Sequence, residues 1–177
     1  MTGGSGEPVQ RSGGPPGIKI REATLADVDR WLELLVAVAG EGRWIGTEAP
    51  VDLERRRQRM VEDVEGADAI ILVAEADGEA VGELGLHLAR YGVADLGMLV
   101  AAGWRGRGVG SALLAEAVDR ARKAGAHKIA LQVWPHNAAA IALYERFGFE
   151  REGYLRRHYR RRSGELWDAL IMGLPLD

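Results

Sequence analysis

The chain has 177 residues, 47% of them hydrophobic, with a formal charge of −3 and no cysteine. That length suits one domain, since domains average roughly 150 residues. The balance excludes disulfides, thiolate metal sites and a cysteine nucleophile and argues against a dedicated nucleic-acid binder, and no apolar run approaches the ~20 residues of a membrane span.

Residues 1–17 are rich in Gly and Pro, hold no apolar stretch, and read as a disordered tail rather than a signal peptide; one domain follows over 18–177. Residues 18–23 read as a short strand. Thr24 caps a helix to Ala39, stopped by Gly40, with Leu25, Val28, Leu32, Leu35 and Ala39 on one face. A loop over 40–50 carries Glu41, Arg43 and Trp44. A charged helix over 51–64 has only Leu53, Met60 and Val64 as its apolar stripe. The strand 69–76 turns through Asp77-Gly78 into the strand 80–89. On the latter Leu84, Leu86 and Leu88 face one side, and Glu83, Gly85 and His87 the other. A strand over 94–100 leads into Arg-Gly-Arg-Gly-Val-Gly at 105–110. The helix after it buries Leu113, Leu114, Ala117, Val118 and Ala121 and ends at Gly125. A strand over 128–134 is broken by Pro135-His136-Asn137, and Asn137 caps a helix over 138–147. Strands over 149–155 and 166–172 flank a turn at Ser163-Gly164. Hairpins mixed with helical crossovers predict an α/β fold, of the mixed α+β kind, with a mainly antiparallel sheet of about six to seven strands and about four helices.

The glycine turn at 105–110 is the most informative feature. Backbone N–H groups at a helix N-terminus, reinforced by the helix dipole, suit a phosphate or pyrophosphate. It is no Walker loop, because Gly110 is followed by Ser111-Ala112 and not by Lys-Ser or Lys-Thr. It is no dinucleotide fingerprint, because the position of the third glycine is Ser111, and Asp119 lies too close and inside a helix. A glycine turn serving packing alone is the bland alternative.

Arg105-x-x-Gly108-x-Gly110, after Leu96-Gly97-Met98-Leu99-Val100, resembles motif A of the GNAT superfamily of acetyl-CoA-dependent N-acetyltransferases. Residues 137–149, with Asn137, Ala140, Leu143, Tyr144, Gly148 and Phe149, match that superfamily's second signature in order and distance. The resemblance covers about 18–172. It implies a sheet splayed at the cofactor site and acetyl-CoA as cosubstrate, with no metal. The four histidines, His87, His127, His136 and His158, show no metal-ligand spacing either.

The resemblance also implies site residues. Arg105, Gly106, Arg107, Gly108, Val109, Gly110 and Ser111 would hold the pyrophosphate, chiefly through backbone N–H groups; Gly108 and Gly110 let phosphate oxygens come close. Arg105 and Arg107 add charge or are solvated surface arginines. Main-chain groups of Met98, Leu99 and Val100 would meet the pantetheine, placing the thioester between 96–100 and 132–134. Asn137 is a helix cap that also touches the pantetheine in this family. Tyr144, two turns along the same helix face, would be the general acid, since a phenol stays protonated at neutral pH. A carboxylate acting through water would deprotonate the amine: Glu83 first, Asp95 second, each otherwise a solvated sheet carboxylate.

The activity implied is transfer of acetyl from acetyl-CoA to a primary amine of a small molecule, of amino acid or polyamine type, by direct attack. Glu41, Arg43, Trp44 and the first two helices would line the acceptor side. The five arginines of 156–162, placed at a hairpin, are a solvated loop or a lure for an acceptor carboxylate. A protein N-terminus or lysine is the second acceptor reading, and a non-catalytic acyl-CoA sensor is the reading from another class. The expected setting is cytoplasmic, without nucleic-acid or membrane partners, with a homodimer through the C-terminal strands suggested by the resemblance.

Overall fold

The computed structural model describes residues 17–89 and 91–176. Apart from Gly17, the expected tail lies outside the described residues. The elements run β1 (Lys19–Glu22), α1 (Val28–Gly40), α2 (Leu53–Glu65), β2 (Ala69–Ala76), β3 (Glu79–Leu88), β4 (Val93–Val100), α3 (Val109–Lys123), β5 (Lys128–Val133), α4 (Ala138–Arg146), β6 (Glu150–Arg160) and β7 (Leu166–Pro175). They form one seven-stranded sheet in the order β1-β2-β3-β4-β5-β7-β6. Every neighbouring pair is antiparallel except β4 with β5. The expected element order and mixed, mainly antiparallel sheet are therefore present.

The alternation read on β3 divides the core. Leu84 and Leu86 join Leu113, Leu114, Ala117 and Ile129 in a cluster under α3 and α4. On the other face α1 and α2 bring Trp31, Leu32, Leu35, Val38 and Met60 onto Ile71 and Leu99. Two helices start on a polar side-chain cap. Asp52 accepts the Arg55 N–H at 3.1 Å to begin α2, and Asn137 accepts the Ala140 N–H at 3.3 Å to begin α4. Before α1, Arg21 of β1 grips Asp27 at 2.7 Å and Glu75 of β2 at 2.6 Å, tying the incoming turn to the sheet.

Three expectations need correction. The first helix begins at Val28, because Leu25–Asp27 is a separate 3-10 turn, so Leu25 is half exposed and outside the apolar face. Leu53 likewise stands exposed in the first turn of α2, and Met60 is the residue that reaches the core. The arginine run is not a hairpin loop: β6 continues to Arg160. Its register against β7 jumps between Leu155↔Ala169 and Tyr159↔Trp167, leaving Arg156, Arg157 and His158 opposite Asp168 alone. Asp168 pins this bulge by accepting the Arg157 N–H at 2.6 Å and the Tyr154 hydroxyl at 2.8 Å, with Arg157 at a φ of 51°.

Candidate active site

The site begins where β4 and β5 part. Their parallel pairing holds only over Val93↔Lys128, Ala94↔Ile129 and Asp95↔Ala130. Beyond it β4 stays paired with β3 as far as Val100, and β5 stays paired with β7 as far as Val133. The sides of β4 and β5 that face each other thus lose their strand partner and open a wedge. A cavity of about 770 Å³ fills it, with Leu96–Val100 on one wall and Gln132, Val133 and Trp134 on the other.

At one end of the cavity lies the glycine turn. Gly106, Gly108, Gly110 and Ser111 line it. Gly108 occupies the N-cap of α3 at a φ of 85°, a left-handed conformation costly to residues with a Cβ. This exposes the first N–H groups of α3, which have no intrahelical acceptor, toward the cavity end. Gly110 has a different reason from the one expected. A Cβ there would stand 3.1 Å from Leu143 Cδ2 and 3.5 Å from Met98 Cε, so this glycine lets α3 approach α4.

The two arginines of the turn separate. Arg105 is fixed: Nε donates to the Val100 carbonyl at 2.9 Å, and both terminal nitrogens hold Glu41 at 2.7 Å. Those bonds draw the Glu41 carboxyl below its usual range. Glu41 also accepts the Trp44 indole N–H at 2.6 Å, and Trp44 lies between the guanidinium groups of Arg43, 4.3 Å from its ring centroid, and Arg105, at 5.4 Å. Arg105 therefore braces the loop after α1 against the turn. Arg107 stacks over Trp104 at 5.2 Å, and neither it nor the buried Val109 lines the cavity.

Asn137 and Tyr144 meet the cavity from α4, with Ala139 and Ala140 between them. Tyr144 is 6% exposed and packs against Phe149 at 5.5 Å between ring centroids. Burial pushes its phenol up to about 12. Met98, Leu99, Val100 and Trp44 line the cavity as expected, whereas Glu41 and Arg43 only support Trp44.

Neither base candidate lines the cavity. Glu83 is buried beneath α1 and α2, register partner of the cavity residue Leu99. Burial pushes its carboxyl up to about 8; nearby Asp63 adds to the rise, while the Trp31 side chain and the Arg56 charge oppose it. Asp95 is exposed at the closed end of the wedge, opposite His87 and Ala130.

The far wall of 132–134 was expected, but sequence reasoning missed the aromatic residues behind it. Trp134, just after β5, has its ring edge-on to Tyr159, at 5.0 Å, and to Trp167, at 5.3 Å. Tyr159 donates to Gln132 Oε1 at 2.6 Å, and Arg161, 6% exposed, lies 4.3 Å over Trp167. The bulge aims Tyr159 inward, and the run 156–162 signalled only its charge.

A family model described as the acetyltransferase (GNAT) family matches residues 31–149. The chain is 30% identical over 163 residues to an L-methionine sulfoximine/L-methionine sulfone acetyltransferase of Pseudomonas aeruginosa, covering 89% of this chain and 94% of that one. It is 40% identical over 106 residues to the L-amino acid N-acetyltransferase AaaT of Escherichia coli, 57% of this chain and 65% of the relative. The crystal structure of a ribosomal-protein-alanine N-acetyltransferase from Brucella melitensis is similar with a TM-score of 0.81 and 33% identity, covering 89% of this chain and 99% of that one.

Proposed function

The chain belongs to the acetyltransferase (GNAT) family and is an acetyl-CoA-dependent acyltransferase, and from that premise we propose that its acceptor is the primary amine of a small molecule of amino acid or polyamine type. The observation that carries the transfer chemistry is the strand-free side of β4, which shares one cavity with the glycine turn and Tyr144, and the likeness to the two amino-acid acetyltransferases supports the acceptor. The residues present fit acetyl-CoA: N–H donors at the α3 start for phosphates, a strand edge for an amide-bearing arm, and apolar walls around both.

Acetyl-CoA supplies an acetyl group already activated as a thioester. The backbone N–H groups at Arg107 to Gly110 hold the pyrophosphate, and the side chain of Ser111 lies beside them. Main-chain groups of Met98, Leu99 and Val100 bind the arm as a further strand would. Asn137 uses Oδ1 for the helix cap, which leaves its amide NH₂ to donate into the cavity. Tyr144 keeps a proton on its hydroxyl throughout the working pH range and delivers it to the departing sulfur. Glu83, behind Leu99, accepts the amine's proton through intervening water in its ionised form, which burial makes the minor form at neutral pH, so this step gains as pH rises toward 8.

The test is thiol release from acetyl-CoA with amino acids, polyamines and N-terminal peptides as acceptors, with Tyr144→Phe in parallel. Release that depends on a small amine and collapses in the variant supports the reading. The likeness to the Brucella ribosomal-protein-alanine enzyme favours a peptide N-terminus as the second reading, and release with peptides alone would select it. Coenzyme A binding with no acceptor would leave a sensor. We extend the proposal to a homodimer through β6, the last strand of the sheet; a native mass of one chain would overturn that part.

A further inference from the structure

On the α1/α2 side of the sheet lies a second cavity, of about 730 Å³, bounded by the loop before α2, by α2 itself, by His87 and by Arg162. Gly46 lines both cavities, so the two adjoin. Its acids are already engaged. Asp52 caps α2, Glu62 accepts the Gln58 amide at 3.2 Å, and Asp63 faces Arg59 at 3.3 Å and His87 Nε2 at 3.2 Å. Glu48 faces Arg161 at 3.2 Å and accepts the Arg162 N–H at 3.2 Å.

Of its four arginines Arg59 pairs with Asp63, Arg162 donates Nη1 to the Pro50 carbonyl at 2.9 Å and Arg55 is exposed, which leaves Arg56. It is half-buried, yet its guanidinium makes one side-chain hydrogen bond, from Nη2 to Thr47 Oγ1 at 2.9 Å, and pairs with no carboxylate among the described residues. Its charge reaches Glu83, the register partner of Leu99 in the first cavity, so Arg56 lies toward the wall the cavities share. A guanidinium held by one arm, with the rest of its planar fork open to a cavity, is matched by a carboxylate.

We propose that Arg56, oriented by Thr47, binds the carboxylate of the acceptor where the two cavities adjoin at Gly46, which makes the acceptor a free amino acid whose amine, next to that carboxylate, faces the first cavity. This rests on the reading of the first cavity as the acetyl-transfer site. A polyamine would bring ammonium groups against an unpaired arginine, and a peptide N-terminus carries an amide where a free amino acid carries its carboxylate.

The probes are free L-amino acids, L-methionine sulfone among them, each beside its carboxamide, read by thiol release and by thermal shift with coenzyme A present. The expected preference for acid over carboxamide is about tenfold or more in kcat/KM, the size of one charged hydrogen-bonded pair. In Arg56→Gln that ratio falls toward one, chiefly through KM, and Arg56→Lys recovers part of it. Thr47→Val gives a smaller loss of the same kind and serves if Arg56→Gln does not fold. Equal use of acids and carboxamides by the unaltered protein overturns the proposal, as does an unchanged ratio in the variants. If no amine is acetylated, the transfer reading fails separately. The carboxylate site then stands only if free amino acids raise the melting temperature of the unaltered protein and not that of Arg56→Gln, and falls if they do not.

Discussion

At the scale of the residue, burial holds Tyr144 and Glu83 in their neutral forms, whereas an ion pair holds Asp27 charged. Tyr144 has its phenol pushed up to about 12 by burial, so its hydroxyl keeps its proton across the neutral range. Tyr144→Phe keeps the ring against Phe149 and removes only the proton. It is expected to lower kcat by about 10²- to 10⁴-fold, the usual worth of a positioned acid, with KM for acetyl-CoA and melting temperature nearly unchanged. Steady-state kinetics beside a melting curve checks this, and an active variant would take Tyr144 out of the mechanism. Glu83 has its carboxyl raised from 4.5 to about 8. Between those values the native state keeps a proton that the unfolded chain has released, so stability is full below the lower value and declines as pH rises through the upper one. Asp27 has the reverse sign. The Arg21 guanidinium holds its carboxyl well below the usual range, so its contribution is present at neutral pH and is lost only in acid. Glu83→Gln is therefore expected to flatten the fall in melting temperature between pH 5 and pH 8, by about 2–4 °C for each kcal/mol relieved. Parallel curves for the two proteins would mean that Glu83 ionises in the fold as it does in water.

At the scale of the element, the bulge in β6 is the device that turns a surface strand into a wall of the site. Three residues stand opposite Asp168 alone, and that carboxylate holds them through the Arg157 N–H and the Tyr154 hydroxyl. The extra residues re-aim the strand so that Tyr159 reaches Gln132 and Trp134. Asp168→Ala is expected to raise the acceptor KM about 3- to 10-fold, the worth of one or two hydrogen bonds, while KM for acetyl-CoA stays put. Tyr159→Phe should shift the same constant in the same direction. A change in melting temperature alone would reduce the bulge to a structural feature. Elements whose apolar period is local were legible in the sequence. The face Leu113, Leu114, Ala117, Val118 and Ala121 of α3 is buried as read, and β3 divides its leucines from Glu83 and Gly85 as read. The end of β6 was not legible, because Arg156–Arg160 has no apolar alternation and is held in the sheet by a carboxylate on another strand.

At the scale of the whole molecule, the sheet is two antiparallel blocks, β1-β2-β3-β4 and β5-β7-β6, joined by three parallel register pairs. The half of the site that follows one stretch of chain, the glycine turn with Asn137 and Tyr144, could be found from motif spacing. The rest could not: Tyr159, Trp167 and the Arg56 cavity join the site only through contacts far apart in sequence. This construction has a thermodynamic consequence. A ligand in the wedge touches both blocks and lies along strand edges that have no strand partner there, so it binds the folded chain and has no counterpart site in the unfolded one. Coenzyme A at a hundred times its Kd adds about 2.7 kcal/mol by mass action. For a chain of this size that is a rise in melting temperature of about 5–10 °C. The gain should also be local. Hydrogen exchange is expected to slow at the amides of Met98 and Val100, which point away from β3, and at the first amides of α3, and to change little in β1, three strands from β4. A Gly108→Val variant strains the left-handed cap and should lose both effects together. Protection appearing under α2 instead, or a thermal shift that survives Gly108→Val, would place coenzyme A outside the wedge and detach the glycine turn from phosphate binding.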